Sequence, residues 1–285
     1  DDTISLTAIH FEKTTLKTAM LNIADFEDSF KAGQQLGQEL AADDLAHIFV
    51  VSDGLKVNGS ELVKGFNEVL PDTIAVTGGL AGDAANFEKT LVGLDSAASD
   101  GNVVAIGLFG SDLKIGHASK GGWDSFGPER VVTKSSANVL YELDGESALE
   151  LYKRYLGDKA SELPGSGLLF PLAIKETPEQ AAVVRTLLAI DEEAGSMTFA
   201  GDIPEGSSAQ LMKANFDKLI DASYDAAEGT VEALGGAADL AILVSCVGRK
   251  LILDQRIEEE VEEVRSVLGD DTMISGFYSY GEISP

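Results

Sequence analysis

"HIFVVSDGLKVNGSELVKGFNEVLPDTIAVTGGLAGD", residues 47–83, is the stretch on which the fold turns. Its opening run, 47–54, is short and apolar and ends in Ser52-Asp53-Gly54, the pattern of a buried strand that stops at a polar loop. Residues 57–70 have helical spacing, and Asn58 with Glu61 three positions later makes a capping box. The run 73–79 is a second buried strand, followed by the glycine loop Gly78–Asp83. A strand–helix–strand unit predicts two parallel neighbouring strands joined by a right-handed crossover.

The second half echoes this unit. "DLAILVSC" (239–246) is a buried strand that leads through Gly248-Arg249 to a helix at 254–269 and to the closing "GFYSYGEI" (276–283). Both units end in glycines followed by a carboxylate, Gly82-Asp83 in one and Gly281-Glu282 in the other. The echo predicts a mixed α/β fold of two similar lobes, β-sheet covered by helices, with a duplicated strand–helix–strand unit. Ligands of such sheets bind beyond the strand C-terminal ends. Those ends hold Ser52, Asp53, Gly78, Gly79, Gly82 and Asp83 from the first unit. The second supplies Cys246, Arg249, Tyr278, Tyr280 and Glu282.

The remaining elements are read from periodicity and punctuation. Residues 4–11 read as a strand, 25–42 as a helix, and 102–119 as a hairpin turning at Gly110–Asp112. Residues 121–130 read as a loop carrying Trp123, 137–145 as a strand, and 147–157 as a helix stopped by Gly157. Beyond it, "GLLFPLAI" (167–174) and "VVRTLLAID" (183–191) are strands, and 195–206 returns as a hairpin partner. A long helix is expected from Ser208 to Leu234. The acidic run Glu258–Glu263 reads as a solvated helix face.

Composition narrows the partners. The chain has 285 residues, enough for one large or two ordinary domains. Forty-eight acidic against 21 basic side chains give a net charge of −27, which argues against nucleic-acid and anionic-membrane partners. The lone cysteine cannot form an internal disulfide, consistent with a reducing compartment. No apolar run reaches the roughly 20 residues of a membrane span. The chain opens on Asp1-Asp2 without an initiator Met or a signal-peptide pattern, which predicts further residues upstream.

Four features carry chemistry. In the glycine loops, backbone N–H groups can approach a ligand closely, with Asp53, Asp83, Glu282 and Arg249 supplying charge; the alternative is that the glycines only turn the chain and the carboxylates cap helices. Cys246 has three readings: a compact core residue, a pocket-lining thiol made reactive by Arg249, or a nucleophile. The three histidines, His10, His47 and His117, make no zinc spacing; a single axial ligand to heme leaves none, and His117, near Trp123 and Phe126, is the candidate. Arg185, on an apolar strand, needs a counter-charge, either Asp202 or Glu205 as a structural pair or a ligand carboxylate.

These residues resemble a known family. "VVSDGLKVNGSELVKG", "VTGGLAGDAANFEKT", "FAGDIPEGSSAQLMKAN", "LVSCVGRKLILDQRIEEEVEEV" and "GFYSYGEI", in this order, look like the FIST domain, named for F-box and intracellular signal transduction proteins. The resemblance implies a FIST N-terminal domain at 1–145 and a FIST C-terminal domain at 146–285. It implies a cytoplasmic, non-catalytic sensor that binds a small ligand such as an amino acid and acts on a partner such as a histidine kinase or a cyclic-di-GMP enzyme. Two alternatives stand beside it: a heme-binding nitric-oxide sensor that regulates a histidine kinase, and a cysteine-dependent enzyme using Cys246. In the sensor reading, Asp83 and Glu282 take an amino group, Arg249 or Arg185 a carboxylate, and Tyr278 and Tyr280 form the apolar wall.

Overall fold

The computed structural model of the protein describes residues 4–285. The stretch 47–83 folds as its pattern requires. Strand β2 (Leu45–Ser52), helix α2 (Gly59–Val69) and strand β3 (Ala75–Ala81) follow one another, and β2 pairs parallel with β3. Asn58 caps α2 by accepting from Ser60 N at 3.0 Å and Glu61 N at 3.2 Å. The echo is present too. Strand β13 (Leu240–Cys246) leads through helices α5 (Val247–Leu253) and α6 (Ile257–Leu268) to β14 (Met273–Ile283), again a parallel pair.

Both units enter one six-stranded sheet in the order β1-β4-β2-β3-β14-β13, where β1 is Thr15–Asn22 and β4 is Asn102–Phe109. At the join β3 and β14 run antiparallel. Such a join would send the two sets of strand ends to opposite edges, but β14 is long. Its first residues pair with β13, its last with β3, and Ser279 pairs with both Cys246 and Ala81. A bulge after Ser279 resets the register, so Glu282 faces Gly79. The ends of β3 and β13 therefore meet at one level of the sheet.

Helix α1 (Ser29–Leu40), capped by Asp28, packs with α2 against this sheet over a core that includes Leu36, Leu40, Ile48, Leu62, Phe66 and Leu80. The helices cross closely. A Cβ on Gly33 would lie 2.1 Å from Leu62 O, and one on Gly65 would lie 2.1 Å from Phe30 O.

The second sheet has the order β10-β11-β6-β5-β12-β8-β9, with the two-residue β7 (Glu146–Ser147) beside β6. Its strands are β5 (Trp123–Ser136), β6 (Val139–Leu143), β8 (Leu172–Lys175), β9 (Val183–Arg185), β10 (Leu187–Asp191), β11 (Ser196–Phe199) and β12 (Ser208–Ala214). Helix α3 (Ala148–Leu156) packs on it through Leu149, Leu151 and Tyr152. Helix α4 (Phe216–Leu234) lies against α6 and α5.

Several expectations are corrected. Residues 4–11 form no strand, and their apolar Ile4 and Leu6 are almost fully exposed. The expected hairpin ends at Phe109, because 112–119 pairs with no strand. Residues 123–130, expected as a loop, belong to β5, which runs through Gly127 and Pro128 with a register shift opposite Ala209/Leu211. The stretch 167–174 begins as a 3-10 turn over 165–169. The long helix begins at Phe216, since 208–214 is a central strand and Asn215 caps the helix by accepting from Lys218 N.

Candidate functional site

Gly78 and Gly79 lie inside β3, and Tyr278, Tyr280 and Glu282 lie inside β14, so the expected glycine loops are largely strand. Gly78 has φ +146°, and a Cβ there would meet Val50 O at 1.8 Å, so glycine is needed for the strands to pair. The ends of the two strand–helix–strand units nevertheless converge. Tyr280, fully buried, donates its hydroxyl to Asp83 Oδ1 and stacks on Phe87 with ring centroids 4.8 Å apart.

Most of the expected charges are committed within the fold. Asp53 Oδ1 accepts from Leu55 N and Lys56 N at 2.8 Å each, and its Oδ2 from Gly101 N at 2.8 Å. Asp83 accepts from the backbone of Phe87, Glu88 and Lys89 as well as from Tyr280. Burial alone would raise its pKa, but these hydrogen bonds win and hold it below the usual carboxylate value. Ser52 is fully buried, and its Oγ has no hydrogen-bond partner among the described residues. Gly82 is exposed beside Val247 and Tyr280.

Arg249 is 7% exposed and spends its donors on Glu260 Oε2 (3.0 Å), Gly121 O (3.0 Å), Leu219 O and Ser223 Oγ (2.6 Å). Its partner Glu260 is 4% exposed and also accepts from Tyr278 at 2.7 Å. This corrects the reading of Glu258–Glu263 as wholly solvated: one glutamate turns inward to meet the arginine. Sequence pattern hides it, since Glu260 sits among identical neighbours.

Cys246 is buried; its Sγ accepts from Gly248 N at 3.3 Å and lies 4.0 Å from Thr186 Oγ1. Burial, and next the charge of Glu282, push the thiol up to about 12. A protonated, enclosed thiol is a packing residue at neutral pH. Iodoacetamide at pH 7.5 is expected to label Cys246 at least about a hundredfold more slowly in the native protein than in urea-unfolded chain, read by mass spectrometry. Equal rates would return Cys246 to the list of nucleophiles.

Glu282 differs from the other carboxylates. Its side chain is open to solvent, and its one side-chain hydrogen bond is from Ser279 Oγ, at 2.7 Å. Yet the surrounding protein strips enough hydration to push its pKa up, with the positive charge of Arg249 acting the other way. Gly79 lies across the ladder from Glu282, and a Cβ there would press on Val244 at 2.7 Å, so that position carries no side chain.

Arg185 lies elsewhere, in a cavity of about 270 Å³ walled by Ile174, Glu176, Gln180, Ala181, Val183, Asp202 and Pro204. The expected ion pair with Asp202 or Glu205 is not formed. Asp202 gives its carboxylate to Asn58 (2.7 Å) and Lys64 (2.6 Å) of the α2 region, and Glu205 accepts from Ser135 N. Arg185 reaches only Asp202 O (3.0 Å) and Ser60 Oγ (3.2 Å). A second cavity, about 420 Å³, is an open groove between α6 and Tyr278.

Heme needs an axial histidine facing an apolar slot. His117 is half-buried in an irregular segment and lines neither cavity; its neighbour His47 is buried, bonded to Thr77 at 2.8 Å, and held neutral with a pKa lowered by burial to about 4. No cluster of three metal-ligating side chains occurs among the described residues. No helix of the described chain is long and apolar enough to cross a membrane.

Comparison with known proteins matches a FIST N domain to residues 1–146 and a FIST C domain to residues 148–285. An uncharacterized protein of Methanocaldococcus jannaschii is 26% identical over 215 residues, which is 67% of this chain and 39% of that protein. The chain thus matches well under half the length of this relative. No solved structure matches it.

Proposed function

This chain belongs to the FIST family, whose N and C domains fill its two halves, and on that premise we propose that it is a small-ligand sensory module of intracellular signal transduction that carries out no catalysis. The ligand is read as an amine or amino acid whose ammonium group meets Glu282. One observation supports this site above the others: Glu282 is the carboxylate of the expected set that is at once open to solvent, desolvated, and served by a single side-chain donor. Asp53 and Asp83 have their oxygens occupied, and buried Arg249 already directs all three guanidinium nitrogens to partners within the protein. An ammonium ion would restore the electrostatic stabilisation that burial takes from Glu282.

A module of this kind works when the ligand favours one arrangement of the two strand–helix–strand units over another, so that contacts with an output partner change. A histidine kinase or a cyclic-di-GMP enzyme in the cytoplasm is the partner class we propose.

Thermal-shift titration with amino acids and simple amines tests the site. A ligand at one hundred times its Kd stabilises by about 2.7 kcal/mol, and Glu282→Gln should abolish the gain. The fold favours protonated Glu282, so the free protein loses stability as pH rises from the ordinary 4.5 through the raised value; bound ammonium offsets this, and the gain should grow over that interval. No stabilisation by any of them at millimolar concentration would sink the reading.

A further inference from the structure

Arg185 supports a second site, independent of the one at Glu282. It is a guanidinium that makes no ion pair with any described residue, and the reason is visible. The carboxylate whose charge acts on it most, that of Asp202, is already taken by Asn58 and Lys64, and the residue turns its backbone oxygen to Arg185 Nε. Nη2 reaches Ser60 Oγ at 3.2 Å. Nη1 has no hydrogen-bond partner and is not among the buried polar atoms left unpartnered, so it faces open space, and Arg185 lines the cavity of about 270 Å³. Burial pushes the guanidinium pKa down, the direction expected of a cation short of a counter-charge.

We infer that this cavity binds a small organic monocarboxylate, with its two oxygens on the free edge of Arg185 and its apolar tail against Ile174, Val183 and Pro204. A planar carboxylate matches the guanidinium fork, and the match is stronger where water is partly excluded. The cavity wall also includes Glu176, and the Asp202 carboxylate lies close behind. Glu176 repels a doubly charged phosphate or sulfate about twice as strongly as a monocarboxylate, whose single negative charge suffices to replace the counter-ion Arg185 lacks. The apolar wall selects against a bare inorganic anion. Because Arg185 holds Ser60 of α2 while Asp202 holds Asn58 and Lys64, an occupant here would sit where the first sheet's helix meets the second sheet.

Isothermal titration of the full chain with isobutyrate tests this, with isobutyramide as the neutral isostere and inorganic phosphate as the dianion. Saturable isobutyrate binding with isobutyramide and phosphate at least tenfold weaker is expected. Arg185→Gln should weaken isobutyrate at least tenfold. Val183→Trp, which fills the cavity from an exposed strand position and leaves Arg185 in place, should do the same. Glu282→Gln should leave isobutyrate binding unchanged, which separates this site from the amine site. Absence of isobutyrate binding, equal binding of isobutyramide or phosphate, or retained affinity in either cavity variant would overturn the proposal.

Discussion

Arg249→Met should cost about 3–5 kcal/mol of unfolding free energy, the range for removing one partner of a buried ion pair. The substitution keeps the aliphatic volume but strands the Glu260 carboxylate, which is then left with Tyr278 and a long contact to Ser245 inside the protein. It also releases the carbonyls of Gly121 and Leu219, so the segment before β5, the start of α4 and the α5–α6 corner lose a common tie. The double variant Arg249→Met/Glu260→Met should recover most of the loss, because an apolar pair leaves no charge to desolvate. Urea denaturation reads both. A single variant within about 1 kcal/mol of the parent would mean that Glu260 escapes to water and that the pair holds little.

Gly65→Val is the second large effect, expected to destabilise by at least about 3 kcal/mol. Its Cβ would fall 2.1 Å from Phe30 O, 2.8 Å from Gln34 N and 3.0 Å from Gly33 Cα, all backbone atoms that no rotamer change can move. The α1–α2 pair would have to separate, opening the core beneath Leu36 and Leu62. Gly33→Val meets the same obstacle from the other side. Once one substitution has parted the helices, the second finds room, so the double variant should lose less than the sum of the singles. Simple additivity in a thermal-melt cycle would argue that the helices do not touch there.

The parts of the fold legible in sequence are those where local signals agree. The unit 47–81 combines two apolar strands, a capping asparagine and a helical stripe, and each points to the same element. The unit at 239–283 was visible for the same reason. Reading failed where two periodicities overlap. Met212, Phe216 and Ile220 fall at helical spacing across the boundary between β12 and α4, and Asn215, the cap that marks the boundary, looks like any polar residue of a helix face. Strand β5 was obscured by Gly127 and Pro128, residues that ordinarily mark loops and that it tolerates beside a bulge.

The site was legible in outline only. Glycines and acids at strand ends pointed to the meeting of the two units, and Asp83 with Tyr280 is that meeting. Which acid keeps an open valence depends on long-range partners. Asp202 is neutralised by Lys64 from the other half, and Arg249 by a glutamate one helix away. No spacing rule records either pairing. Asp53, Asp83 and Glu282 are all carboxylates at strand ends in the sequence, and they differ in exposure and in how many donors the fold brings to each.

The position of β14 bears on how the chain is made. Its partner β3 is synthesised early, and the entire second sheet emerges from the ribosome before β14 can dock. Until then β3 presents an unpaired edge, the kind of surface that recruits foreign strands and seeds aggregation. A nascent or truncated chain that stops short of Met273 should therefore depend on a holdase chaperone, while a chain that includes β14 covers that edge itself.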